Sequence, residues 1–135
     1  MRIIVLAVGR LRPPYADDVE HYRRLLSGHA RLELIEVREE GQVAARIPQR
    51  SFVVLLDSDG RGFDSIAFSE FLEDRRQRGL DLCFVVGGPK GLDLASPDLR
   101  LSLGPMTLPH QLARVVLLEQ LYRSHKILAG ESYHY

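Results

Sequence analysis

Three stretches of the chain are apolar at nearly every position: residues 3–8 (IIVLAV), 52–56 (FVVLL) and 82–86 (LCFVV). Such runs, rich in β-branched side chains, predict strands buried on both faces, the habit of parallel sheets. Residues 32–37 alternate Leu-Glu-Leu-Ile-Glu-Val and predict a strand nearer an edge. Residues 99–103 also alternate and predict a short strand. Between the strands the period lengthens. Val19, Tyr22, Leu25 and Leu26 recur at helical spacing after Pro13-Pro14, which can open a helix, and Gly28 stops it. Ile66, Phe68, Phe71 and Leu72 give a second helix its apolar face, with Asp64 or Ser65 as cap and Gly79 as the stop. Residues 39–50 predict a short polar connection with about one helical turn, ended by Pro48. Strands and helices alternate, so the expectation is α/β: a small, mostly parallel sheet with helices on both faces, in one domain spanning residues 1–135.

The last helix, from about His110 to Lys126, breaks the amphipathic rule. Leu112, Ala113, Val115, Val116, Leu117, Leu118, Leu121 and Tyr122 cover well over half its circumference. A helix apolar nearly all round is buried nearly all round. Its own sheet covers one side only, so a second copy of the chain is the expected cover for the other, giving a homodimer.

Charge narrows the function classes. Lys plus Arg balance Asp plus Glu at 18 each, which excludes a polybasic nucleic-acid binder but not an RNA-modifying enzyme with a local basic patch. The single cysteine, Cys83, excludes a disulfide framework and a cysteine-based zinc site, and no His/Asp/Glu grouping has metal-ligand spacing. The opening apolar run is too short for a secretory signal, and nothing is long enough to span a membrane. The expectation is a cytoplasmic protein without metal.

Two loops follow strands and carry candidate chemistry. Gly87-Gly88-Pro89-Lys90-Gly91 fits neither the dinucleotide fingerprint nor a phosphate loop. It reads equally as a tight turn or as a place where a ligand approaches backbone. Gly104-Pro105-Met106-Thr107-Leu108-Pro109 is stiffened by two prolines, and the two loops together can form the lips of one pocket, with residues 57–62 as a third. His110 reads as completing the turn into the last helix. His134, in Tyr133-His134-Tyr135, reads either as a base-stacking group or as frayed chain.

Several blocks together resemble a known family. They are residues 4–11 (IVLAVGRL), 82–92 (LCFVVGGPKGL), 101–111 (LSLGPMTLPHQ), 114–123 (RVVLLEQLYR) and 130–134 (GESYH). In this order they resemble the bacterial large-subunit ribosomal RNA pseudouridine methyltransferases of the SPOUT, or trefoil-knot, class. The resemblance implies a C-terminal trefoil knot, which the usual connection rules would have excluded. It implies a homodimer through the last helices and methylation of ring nitrogen N3 of a pseudouridine with S-adenosylmethionine. Carried over by position, the cofactor contacts are Leu56, Gly87, Leu103, Gly104, Pro105, Met106, Thr107 and Leu108. His134 is the candidate base or stacking residue, and Arg123 the candidate partner of a phosphate or of developing negative charge. Two departures stand out: the 39–50 segment is shorter than is usual there, and Tyr135 takes the place of a basic residue after the His. Methylation of another RNA base, and non-catalytic RNA binding on the same fold, stay open as alternatives.

Overall fold

The computed structural model describes residues 1–89 and 91–133. Five strands form one sheet: β1 (Arg2–Val8), β2 (Arg31–Val37), β3 (Ser51–Gly62), β4 (Asp81–Val86) and β5 (Leu99–Ser102). Their order is β2-β1-β4-β3-β5, and every neighbouring pair is parallel. The unbroken apolar strands β1 and β4 lie inside the sheet, and the alternating β2 lies at an edge, as their patterns predict. The helices are α1 (Tyr15–Ser27), α2 (Val43–Arg46), α3 (Ser65–Arg78) and α4 (His110–Leu128).

The pleat divides the core in two. Ile3, Val5 and Ala7 point to one face with Phe84, where Val19 and Leu26 of α1, Phe68 and Leu72 of α3, and Leu117, Leu118 and Leu121 of α4 meet them. Each such leucine, fully buried, contributes roughly 2 kcal/mol of transfer free energy. Ile4, Leu6 and Val8 point to the other face with Cys83 and Val85. Both faces are covered, but unequally: all three long helices lie on the first. The second has Val43 from the single turn of α2, with Leu92 and Leu94 from the loop after β4. Val43 is fully buried, so the polar 39–50 connection has one apolar anchor. Gln42 holds that segment's entry by accepting from the amides of Arg38 and Glu39 at 2.9 and 3.0 Å.

Capping follows the sequence at α3. Asp64 accepts from the Ala67 amide at 2.8 Å, and Gly79 ends the helix at φ 87°. Its apolar face is shifted, however. Ile66 is 43% exposed, while Ser69 is buried with its hydroxyl donating to the Ile66 carbonyl at 2.6 Å.

The turn expected at residues 57–62 is instead a bulge inside a continuing strand. Leu56 and Arg61 both stand opposite Leu101, so the residues between them loop out before pairing resumes. Gly60 permits this, because a Cβ there would sit 2.6 Å from the Arg100 backbone. The strand order also dictates the path of the C-terminal segment. From β4 the chain must pass β3 to reach β5, and it crosses the face that Leu92 and Leu94 cover. Residues 103–109 then bring it back to the helical face, where α4 packs against both α1 and α3.

Candidate active site

The carboxyl ends of β3, β4 and β5 surround a cavity of about 590 Å³. That is within the range of small-molecule and cofactor sites, roughly 300–1,000 Å³. One wall is the β3 bulge, with Leu56, Asp57 and Ser58. A second is the loop after β4, with Gly87, Gly88 and Leu92. The third is the loop after β5, with Leu103, Gly104, Met106, Thr107 and Leu108. The structure thus brings together seven of the eight residues carried over as cofactor contacts. Pro105 is the exception: it is exposed and does not line the cavity.

Local chemistry fixes each wall. Gly88 and Gly91 form an antiparallel bridge, with the Gly91 amide donating to the Gly88 carbonyl at 2.9 Å. This folds the loop back over Gly87 so closely that a Cβ there would lie 2.8 Å from the amide nitrogen and Cβ of Leu92. Glycine at 87 is therefore required by the loop itself, before any ligand is considered. The Ser102 hydroxyl accepts from the Gly104 amide at 3.1 Å and donates to its carbonyl at 2.9 Å, which pins the loop after β5 at φ 139°. Arg100 joins two walls. It donates to Asp57 at 3.0 Å on the bulge, and to Asp93 and the Leu94 carbonyl at 3.1 Å on the loop after β4. The Asp59 amide, donating at 2.9 Å, and the Arg100 guanidinium hold the Asp57 carboxyl below its usual pKa, so it stays ionised.

The first turn of α4 closes the cavity with His110 and Ala113, and it is latched to the exit of β1. Gln111 accepts from the Arg12 amide at 2.9 Å and donates to the Arg10 carbonyl at 3.0 Å. Arg114, 3% exposed, donates to the Val8 and Gly9 carbonyls at 2.8 and 2.6 Å and to Glu36 at 2.9 Å. Reading the helix as an all-round apolar cylinder missed this latch. The buried stripe is Gln111, Arg114, Leu117, Leu118, Leu121 and Ser124, while Leu112 and Val116 are only half-buried. Two polar residues three apart inside an apolar helix were the available signal.

The tail chemistry gathers at the other end of α4. Arg123 pairs with Glu119 at 2.7 Å and donates to the Tyr133 carbonyl at 3.1 Å, with its guanidinium 4.8 Å from the Tyr133 ring. The Tyr133 hydroxyl donates to Glu119 at 3.2 Å. Burial and the Glu119 charge push this phenol up to about 12, so it remains a proton donor. Arg123 is thus part of an ordered cluster and not an isolated surface cation. His134, the other candidate catalytic residue, lies outside the described residues. His125, in the same turn region, is pushed below the usual imidazole range by burial. Its Nδ1 lies 2.8 Å from the Leu121 carbonyl, so it ends the helix as a neutral donor, without the positive charge its position suggests. Cys83 is buried, with its thiol pushed up to about 11, and is inert packing.

Thirteen residues separate His110 from Arg123. At 1.5 Å per residue the cavity end of α4 and the tail cluster are about 20 Å apart in one chain.

A family model described as "Predicted SPOUT methyltransferase" matches residues 1–134. The chain belongs to the SPOUT methyltransferase family. Membership implies the trefoil knot in the C-terminal segment and a methyl donor for the enzyme. Among similar curated proteins, the "Ribosomal RNA large subunit methyltransferase H" of Gluconacetobacter diazotrophicus is 44% identical over 99% of this chain and 96% of its own length. The protein of the same name from Carboxydothermus hydrogenoformans is 37% identical over 99% of both chains. That from Anaeromyxobacter sp. strain K is 41% identical over the same shares. These alignments run to 150–158 positions against 135 residues here, so this SPOUT chain is the shorter partner in each. Among the described residues no helix is long and apolar enough to cross a membrane, and no group of three His, Cys, Asp or Glu side chains is placed to hold a metal.

Proposed function

We propose that the chain, acting as a single domain, transfers a methyl group from S-adenosylmethionine to N3 of a pseudouridine in large-subunit ribosomal RNA. The observation that carries the reading is the convergence of three loops, from three adjacent parallel strands, on one cavity of cofactor size. The names of the relatives support ribosomal RNA as the substrate. The cavity fits the cofactor. Leu56, Leu92, Leu101 and Leu108 offer apolar surface, and the loop after β5 offers backbone groups and the Thr107 hydroxyl. In this reading Leu56, Gly87 and the 103–108 loop hold the cofactor. When bound, its sulfonium supplies an electrophilic methyl group. The chain's own residues orient the RNA base and take away the imide proton.

Arg123 and the tail belong to the same reaction, but about 20 Å of helix separates them from their own cavity. A homodimer resolves this. Two α4 helices paired head to tail place one chain's Arg123 and Tyr133 at its partner's cavity, and the half-buried Leu112 and Val116 supply apolar surface for the pairing. His134 then stacks on the target base or accepts its proton. The enzyme works in the cytoplasm, where its ribosomal substrate is found.

Titration of the purified protein with S-adenosylmethionine tests the cavity. Methyl transfer to ribosomal particles lacking the modification, with mass mapping of the product nucleoside, tests the substrate. Cofactor binding followed by methylation of a different base favours the same fold on another target. Absence of cofactor binding leaves an RNA-binding protein and overturns the proposal.

A further inference from the structure

We infer that His110 is the group that accepts the imide proton of the target base, a role distinct from the stacking and phosphate contacts of the partner's tail. The inference rests on the methyl-transfer reading above. It begins from the polar inventory of the cavity. Among the described residues lining it, only Asp57 and His110 titrate. Asp57 is committed to Arg100 and to the Asp59 amide. Thr107 and Ser58 carry hydroxyls, which do not accept a proton at neutral pH. His110 stands at the first position of α4, partly buried, and its ring makes no hydrogen bond among the described residues.

The charges around His110 suit that role. Arg114 lies one turn further along its own helix, held by the Val8 and Gly9 carbonyls and by Glu36. Arg12 approaches from the β1–α1 connection, where its amide is bound by Gln111. Asp57 lies across the cavity in its pair with Arg100. The N-terminus of α4 adds a partial positive charge. Desolvation and the two guanidiniums hold the imidazole below its usual pKa, so it is neutral and able to accept a proton at physiological pH. The same positive surroundings favour the anion left when an imide loses its proton. One arrangement therefore prepares both the base and its product charge.

The step balances simply. The N3–H bond breaks and its proton passes to the His110 imidazole. The N3 electron pair forms the bond to the methyl carbon as the methyl–sulfur bond breaks, and the imidazolium later returns its proton to water. Residue order alone does not reveal this role, since a His after Pro at a helix start is equally a turn residue.

The experiment compares the wild type with His110→Asn, which keeps a polar side chain without a proton acceptor. Side-chain NMR of the free wild type should give His110 a pKa below the ordinary value of about 6.5. Single-turnover methyl transfer to undermethylated ribosomal particles should fall as the pH drops through that same value. The variant should bind cofactor within about threefold of wild type, a difference under 1 kcal/mol. It should lose about 10²- to 10⁴-fold in transfer, together with the inflexion. A variant with wild-type transfer overturns the assignment, as does one that keeps the inflexion. Parallel loss of cofactor affinity in a folded variant also overturns it, by making His110 a binding group. If His110→Asn does not fold, His110→Gln takes its place, and a wild-type inflexion that misses the NMR value is decisive against the assignment. A wild type that transfers no methyl group at any pH sinks the function and this assignment together. An active wild type with an equally active variant sinks the assignment alone.

Discussion

The two ends of α4 are built from different materials. At His110 the helix meets a cavity made of loops, where contact is offered by backbone, glycine and leucine, and where the charged side chains turn away to hold the β1 exit or the bulge. At Arg123 the helix carries a cluster of charged and aromatic side chains, Glu119, Arg123, Tyr122 and Tyr133, that shares no residue with that cavity. The first end suits one compact ligand that offers both apolar surface and groups for backbone to hydrogen-bond. The second suits a nucleic acid, whose phosphates and bases call for cations and rings. A single helix of 19 residues keeps these two chemistries apart. In the proposed reaction a second chain brings them together.

The largest effect should come from separating the two ends genetically. Deleting residues 131–135 removes, among the described residues, none of the buried core, so melting and cofactor affinity should stay near wild type while transfer falls by at least ~10²-fold. Gly87→Val damages the other end. A Cβ at 87 runs into Leu92, so the loop must move, and cofactor affinity should fall by at least about tenfold, or 1.4 kcal/mol. Each protein alone should be strongly impaired at cofactor concentrations below saturation. Co-expressed, they should form mixed dimers with one complete site, restoring roughly a quarter of wild-type sites in a random mixture. No recovery in mixed dimers would show that each chain uses its own tail, and sedimentation of the wild type as a monomer at micromolar concentration would remove the dimer altogether.

The next effect is on stability. Arg114→Met leaves the Val8 and Gly9 carbonyls without their donor, and should cost about 2–3 kcal/mol in chemical denaturation. Glu36 is half exposed and can turn to water, which keeps the loss below that of a fully buried ion pair. Cofactor affinity should drop as well, because the helix start that closes the cavity loses its anchor. An unchanged denaturation midpoint would mean that the latch holds nothing.

At the tail end the corresponding change should cost less stability and leave the cavity intact. Glu119→Gln loosens Arg123 and Tyr133, each of which uses that carboxylate. A lost hydrogen bond to a charged group is worth about 1.5 kcal/mol, so transfer should fall about tenfold with cofactor affinity unchanged. A matching loss in cofactor affinity would join the two ends that the structure keeps apart.

The sequence carried the fold further than the site. Apolar run length separated the inner strands from the alternating edge strand because burial on two faces leaves no polar position, and the Asp64 and Gly79 signals marked α3 at both ends. The bulge was hidden, because Asp57, Ser58, Asp59 and Gly60 have turn composition whether or not pairing resumes at Arg61. That outcome depends on β5, forty residues later. The latch was hidden for a similar reason: apart from Glu36, the partners of Gln111 and Arg114 are backbone carbonyls and amides near residue 10, which no side-chain pattern records. Cavity residues were reached through the resemblance, since Leu103 and Leu108 look like any other loop leucines. His110 reads in the sequence as a turn residue, because only the assembled walls show that it faces a cavity.

The smallest effect tests the clamp that joins the cavity walls. Asp57→Asn keeps an oxygen for the Asp59 amide but removes the charge that Arg100 meets at 3.0 Å. The folded state holds the Asp57 carboxyl below its unfolded pKa, so it binds fewer protons there than the unfolded chain does. Its stabilising share is therefore complete above the unfolded value of about 3.9 and is lost as the pH falls toward the folded one. The pair is partly solvated, so the share should be under ~1 kcal/mol at neutral pH. Chemical denaturation of wild type and Asp57→Asn should differ by that amount at pH 7, and the two curves should converge as the pH drops below about 4. The same variant should weaken cofactor binding by no more than a few fold, about 1 kcal/mol or less, since Arg100 still reaches Asp93 and the Leu94 carbonyl. A difference that persists unchanged into acid would show that the asparagine acts through shape, and that the charge on Asp57 contributes nothing to holding the bulge against β5.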